Sequence, residues 1–132
     1  MIVVDTSTLI DLYLGAGHSA RSARRILGTD TAWYAPVHQH VEFLQSLRGL
    51  LLGRKITPDQ AEAARKLYGC QAIAAVAVEG AVADRVWELR HNITSYDAAY
   101  VAVAETLNCA LVTGDARLAT APGVHCEIRL IR

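Results

Sequence analysis

The sequence has no excess of charge of either sign: thirteen basic side chains cancel thirteen acidic ones over 132 residues. That excludes a strongly basic binder of nucleic acid. A modest basic face remains open, because setting four acids aside in one site would leave the rest of the surface at +4. Cysteine is scarce. Cys70, Cys109 and Cys126 form an odd set with no C-x-x-C pair, so no disulfide framework is expected. Each lies in or beside an apolar run and reads as small core filler in a reducing compartment. Long apolar runs are missing too. The longest low-charge stretch, "QAIAAVAVEGAVA", is broken by Glu79 and falls short of the roughly 18–20 residues a membrane span needs. No basic segment precedes the first apolar run, which Asp5 interrupts, so no signal peptide is expected. The expectation is a cytoplasmic protein with no membrane partner.

Several motifs are absent as well. There is no Gly-Lys-Ser/Thr phosphate loop and no G-x-S-x-G elbow. "GAGHSA" formally matches G-x-G-x-x-A, but it follows a helical run rather than a strand, so it fails the context test for a dinucleotide site. His38 and His40 stand two apart and would face different sides of a helix, which prevents joint chelation. They read as helix-surface or cleft-rim residues. No repeat or low-complexity segment appears.

What is present is a core-forming composition, 52% apolar with 20% charged residues, in a length that suits one domain over 1–132. Apolar strand-like runs alternate with helical patterns. "IVV" at 2–4 reads as a strand, followed by helices over Thr6 to Leu14 and from about Ser19 to Leu27. "TAWYAP" gives a strand stopped by Pro36. Val37, Val41, Leu44, Leu47 and Leu51 then recur at helical spacing as far as Leu52, and Gly53 ends that helix. Thr57 and Pro58 mark the cap and first position of the next helix. "AIAAVAV" reads as a strand and "GAVADRVWELRHN" as a helix. "TSYDAAYVAVAETLN" is the clearest helix, with Tyr96, Ala99, Tyr100, Val103, Ala104 and Leu107 on one face. "CALVT" is a strand, "DARLA" starts a helical turn and "HCEIRLI" is a last strand. Continuous apolar strands alternating with helices imply an α/β fold: a mostly parallel sheet of four to five short strands with helices on both faces. In such sheets ligands bind beyond the carboxyl ends of the strands.

The acids fall there. Asp5 follows the first strand, Asp115 follows "CALVT", Asp97 opens the most apolar helix, and Glu42 lies on the helix after Pro36. Each alone has an ordinary reading. Asp5 and Asp115 could cap helices, Thr94 with Asp97 fits a capping pattern, and Glu42 could be a solvated helix residue. Together they fit caps less well, since a cap needs one polar oxygen and three Asp caps on one rim would repel one another. Clustered carboxylates persist when a cation neutralises them or some take up protons. A hard divalent ion such as Mg2+ prefers oxygen ligands, keeps waters for chemistry and can act on a phosphodiester. The hydroxyls of Thr6, Ser7 and Thr113 are placed to hold a ligand carboxylate or a water.

The opening "MIVVDTSTLI", the acid in "APVHQHVEFLQSLRGL" and the block "SYDAAYVAVAETLNCALVTGDARLA" resemble PIN-domain ribonucleases, most closely VapC-type toxins of toxin–antitoxin pairs. The resemblance runs from residue 2 to about residue 129, and "YDAAY…LVTGDARL" is its most specific part. It implies a three-layer PIN-like sandwich and an endoribonuclease dependent on Mg2+ or Mn2+. Asp5, Glu42, Asp97 and Asp115 would then be the catalytic and metal-binding acids, with Thr6, Ser7 and Thr113 as supporting hydroxyls. The implied partners are an RNA substrate, a cognate VapB-type antitoxin and a second copy in a homodimer. The second-motif region, with two histidines before Glu42, departs most from the family pattern.

Rival readings are another carboxylate-metal phosphoryl hydrolase and a non-catalytic binding module. Against the first, no second Asp stands two residues after Asp5, and Lys55 and Lys66 lie in the wrong region for a receiver domain. Against the second stands the complete set of acids. Trp33 and Trp87 are expected to anchor core edges, with stacking on RNA as the other use. Arg21, Arg24 and Arg25 are expected on a solvated helix face rather than along RNA. The Leu- and Tyr-rich helices around "LRGLLLG" and "ARKLYG" suit either core or a partner face.

Overall fold

In the computed structural model, which describes residues 1–132, strand β1 (Ile2–Val4) leads into helices α1 (Thr6–Leu14) and α2 (His18–Leu27). Strand β2 (Trp33–Pro36) is followed by α3 (Gln39–Leu52) and α4 (Pro58–Cys70). Strand β3 (Ile73–Val76) precedes α5 (Gly80–Glu88) and α6 (Ser95–Leu107). Strand β4 (Ala110–Thr113), the short α7 (Ala116–Thr120) and β5 (Ile128–Leu130) complete the chain. The five strands form one sheet in the order β3-β2-β1-β4-β5, and every pair is parallel. This is the expected α/β architecture, with the sheet at the upper end of the expected strand number.

Alternation along the strands divides the core in two. Ile2, Val4 and Val112 face one way and pack with Leu9, Leu27, Phe43 and Leu47 from α1, α2 and α3. Val3 and Leu111 face the other way and pack with Val82 of α5 and the buried run Ala98–Ala104 of α6. The alanines of α6 let its backbone lie close to the sheet. Caps follow the sequence signals. Thr57 and Gln60 exchange hydrogen bonds at the start of α4, and Thr94 accepts from the Asp97 amide at the start of α6. Asn108 ends α6 in the left-handed region, at φ 50°.

Four expectations differ from the structure. Of the expected stripe Val37, Val41, Leu44, Leu47 and Leu51, the first three are exposed; Leu47 is buried as expected, but together with Gln39 and Phe43 from outside the stripe. The cause is Gln39, whose Nε2 donates to the Val4 carbonyl at 2.6 Å. Pairing between β1 and β2 stops at Val3–Tyr34, so that carbonyl needs a partner and the glutamine sets the rotation of α3. Cys70 is exposed at the end of α4, while Cys109 and Cys126 pack beside the core as expected. Trp33 borders the core, but Trp87 stands 67% exposed on α5 and anchors nothing. The strand expected over "AIAAVAV" is limited to Ile73–Val76, on the sheet edge. No helix is long and apolar enough to cross a membrane.

Replacing Gln39 with Met keeps the volume and removes the donor, leaving the Val4 carbonyl buried and unpaired. The expected loss of stability is about 1–3 kcal/mol, read from urea unfolding. A change within experimental error would show that Gln39 does not hold α3 against β1.

Candidate active site

The strand order reverses between β1 and β4, and the crevice beyond their carboxyl ends is where such a sheet offers a site. The loops after these two strands interlock. The Val112 carbonyl accepts from the Asp5 amide and the Thr8 hydroxyl, each at 3.0 Å. The Thr113 hydroxyl donates to Asp5 Oδ2 at 2.6 Å and accepts from the Asp115 amide at 3.0 Å. Ser7 Oγ donates to the same Asp5 oxygen at 2.8 Å and accepts from the Gly114 amide at 3.0 Å. Asp5 occupies the N-cap position of α1, yet its carboxylate makes no capping bond and is 8% exposed. The cap reading therefore fails for Asp5.

The other acids reach the same cleft. Asp97 sits in the first turn of α6, where Thr94 rather than Asp97 caps the helix. Glu42, in the first turn of α3, accepts from the buried Tyr100 hydroxyl at 2.7 Å, and that hydroxyl also meets Thr6 Oγ1 at 2.9 Å. Asp115 does cap α7, through the Arg117 amide at 2.9 Å. It also pairs with the Arg117 guanidinium at 2.6 Å. A cleft of about 700 Å³ is lined by Asp5, Thr6, Ser7, Glu42, Asp97 and Asp115, with His38, Val41, Gln45, Ser46 and Tyr96 around them. Thr113 lies behind Asp5, fully buried.

The acids share this cleft without converging: no three His, Cys, Asp or Glu side chains stand close enough to form a metal cage. Two are held apart, Glu42 by Tyr100 and Asp115 by Arg117. Neither Asp5 nor Asp97 pairs with a basic side chain. Burial pushes the Asp5 carboxyl above its ordinary range, the Thr113 and Ser7 hydroxyls pull it back, and Asp97 and Glu42 push it further up. Burial also raises Asp97, against the nearby Thr94; the negative charges of Asp115 and Glu42 add to the rise, and the positive charge of Arg117 opposes it. Arg117 holds Asp115 below its ordinary range. Two desolvated carboxylates without basic partners, framed by oxygen donors, are what a hard divalent cation would stabilise.

Reading the sequence alone misses Tyr100 and Arg117 as site residues. Tyr100 belongs to the core stripe of α6, but it lies three residues after Asp97, and a buried Tyr hydroxyl requires a partner. Arg117 follows Asp115 by two residues, in "GDAR". His38 and His40 diverge as expected. His40 meets the Tyr68 hydroxyl at 3.1 Å on the outside. His38 turns into the cleft, edge-on to Tyr100, with Nε2 3.1 Å from Glu42 Oε1 but misaligned, so that nitrogen has no hydrogen bond.

Asp5 and Asp97 bind a proton more tightly in the folded chain than in the unfolded one. Their contribution to stability is complete below the unfolded carboxylate range and is lost as pH rises through the raised folded values. In EDTA, Asp97→Asn is therefore expected to raise the melting temperature at neutral pH by a few degrees, and the gain should vanish on acidification. A lower melting temperature at neutral pH would contradict this.

A family model for the PIN domain matches residues 2–124. Ribonuclease VapC1 of Mycobacterium tuberculosis (strain ATCC 25618 / H37Rv) is 38% identical over 130 residues, covering 98% of this chain and 97% of that protein. Ribonuclease VapC9 of the same strain is 34% identical over 131 residues, covering 99% and 98%. Among solved structures, a toxin–antitoxin complex from Klebsiella pneumoniae contains a chain with the same fold. It has a TM-score of 0.68 at 19% identity and covers 100% of this chain and 98% of that one. The chain belongs to the PIN-domain family, and its relatives there are VapC ribonucleases.

Proposed function

We propose that this chain is a divalent-metal-dependent endoribonuclease, the toxin of a toxin–antitoxin pair, which cuts a specific cellular tRNA, rRNA or mRNA in the cytoplasm. The observation that carries the reading is Asp5. It stands at a helix cap position, forgoes the cap, and is held nearly buried beside two further acids by the Thr113 and Ser7 hydroxyls. The ribonuclease names of relatives at 38% and 34% identity over almost the whole chain support it.

Asp5 and Asp97 would be the principal ligands, with Glu42 and Asp115 completing the site directly or through water. A bound Mg2+ or Mn2+ would supply an activated water for attack on the phosphodiester and neutralise charge on its non-bridging oxygens. Ser7 and Thr113 favour the ionised form of Asp5 against the pull of burial and fix its orientation. Tyr100, backed by Thr6, holds Glu42 at the edge of the cleft. Asp115, paired with Arg117 here, would have to give up that guanidinium to hold the ion.

The exposed apolar residues on α3 and α4 suit the two protein partners. Val41, 70% exposed, lines the cleft itself, and Leu44 and Leu52 on α3 and Leu67 on α4 are also exposed. A VapB-type antitoxin would cover the part beside the acids, and a second copy would take the remainder as a homodimer.

Purified protein freed of antitoxin, incubated with total RNA and Mg2+ or Mn2+, is expected to yield discrete fragments that EDTA abolishes. Asp5→Asn, Asp97→Asn and Asp115→Asn should each lower cleavage by at least about a hundredfold with unchanged circular dichroism. Folded protein that cleaves no RNA with either metal would overturn the reading, as would loss of folding in all three variants.

A further inference from the structure

A second cleft opens on the far side of Asp97 and Asp115. It has a volume of about 560 Å³, and its wall carries Arg90, His91 and Asn92 from the turn after α5, together with Arg117. Asp97 and Asp115 also line the acidic cleft, so the two hollows are continuous across these two carboxylates. Beyond these shared acids their chemistry differs: the first hollow adds Asp5 and Glu42, the second adds Arg90, His91, Asn92 and Arg117.

Arg90 has no acidic partner, unlike Arg117 on the same cleft wall. Its guanidinium carbon lies 4.7 Å from the centre of the Trp87 ring, and Nη1 donates to the Trp87 carbonyl at 2.8 Å. These contacts orient an unpaired cation at the border of the cleft. Trp87 is 67% exposed. An exposed indole beside a fixed guanidinium offers a ring for a base and a charge for the adjacent phosphate.

We propose that the Trp87–Arg90 corner and its cleft hold single-stranded RNA on one side of the cleaved phosphate, with Trp87 stacking on an unpaired base and Arg90 binding the backbone. Double-stranded RNA fits poorly, because its stacked bases cannot reach Trp87. The α2 arginines Arg21, Arg24 and Arg25 line neither cleft and provide the control. The inference rests on the nuclease reading, since only a scissile phosphate at the acids gives the strand its place.

The test is binding of a fluorescein-labelled, random-sequence single-stranded RNA octamer in EDTA, with metal-dependent cleavage of total RNA measured alongside. Trp87→Ala should weaken binding at least about fivefold with an unchanged salt dependence. Arg90→Gln should weaken it and lower the slope of log affinity against log salt by about one contact. Arg24→Gln, which removes the same charge, should bind and cleave as wild type. In cleavage, both corner variants should raise KM and leave kcat unchanged. Wild-type binding by Trp87→Ala and Arg90→Gln would overturn the proposal, as would equal weakening by Arg24→Gln, while wild-type cleavage would keep the nuclease reading intact. Failure of the wild type both to bind and to cleave would overturn the two together.

Discussion

The hydrogen bond from the Thr113 hydroxyl to Asp5, 2.6 Å long and fully buried on the threonine side, is the contact on which the site depends. It ties the end of β4 to the end of β1, where the strand order reverses. Burial alone would drive the Asp5 carboxyl towards its neutral form, which binds cations poorly. Two hydroxyl donors on one of its oxygens counter that tendency and orient the carboxylate. Thr113 also accepts from the Asp115 amide, so the same side chain positions an acid from each strand.

Around this point two of the acids are restrained by a partner. Arg117 balances Asp115, and the Tyr100 hydroxyl donates to Glu42. Asp97 has no basic partner and is raised by burial and by its neighbours' charge. The site is therefore electrostatically incomplete on the Asp5–Asp97 side, and a divalent ion would complete it. The Arg117 pair gives the fold a means of tolerating the cluster while no ion is bound.

The fold was largely legible in the sequence because its elements are locally determined. Apolar triplets gave β1 and β4, Thr57-Pro58 gave the start of α4, and the period of "YDAAYVAVAETL" gave α6. The face of α3 was not legible. Its visible stripe was apolar, but the rotation is set by the Gln39 side chain on the Val4 carbonyl, a contact between residues thirty-five apart. Trp87 misled for a related reason: composition suggests that an indole is buried, and only the packing of α5 shows it outside. The four acids were found from their positions at strand ends and helix starts, and the structure brings all four to one cleft. The Tyr100–Glu42 link and the Arg117 pair depend on side-chain direction, which spacing alone does not give.

The most direct measurement is a crystal structure of the protein soaked with Mn2+, with anomalous scattering locating the ion. The expected result is an anomalous peak between the Asp5 and Asp97 carboxylates, with Asp115 released from Arg117. A cleft without anomalous density at saturating Mn2+ would contradict the claim that burial and shared charge make these acids a divalent-cation site.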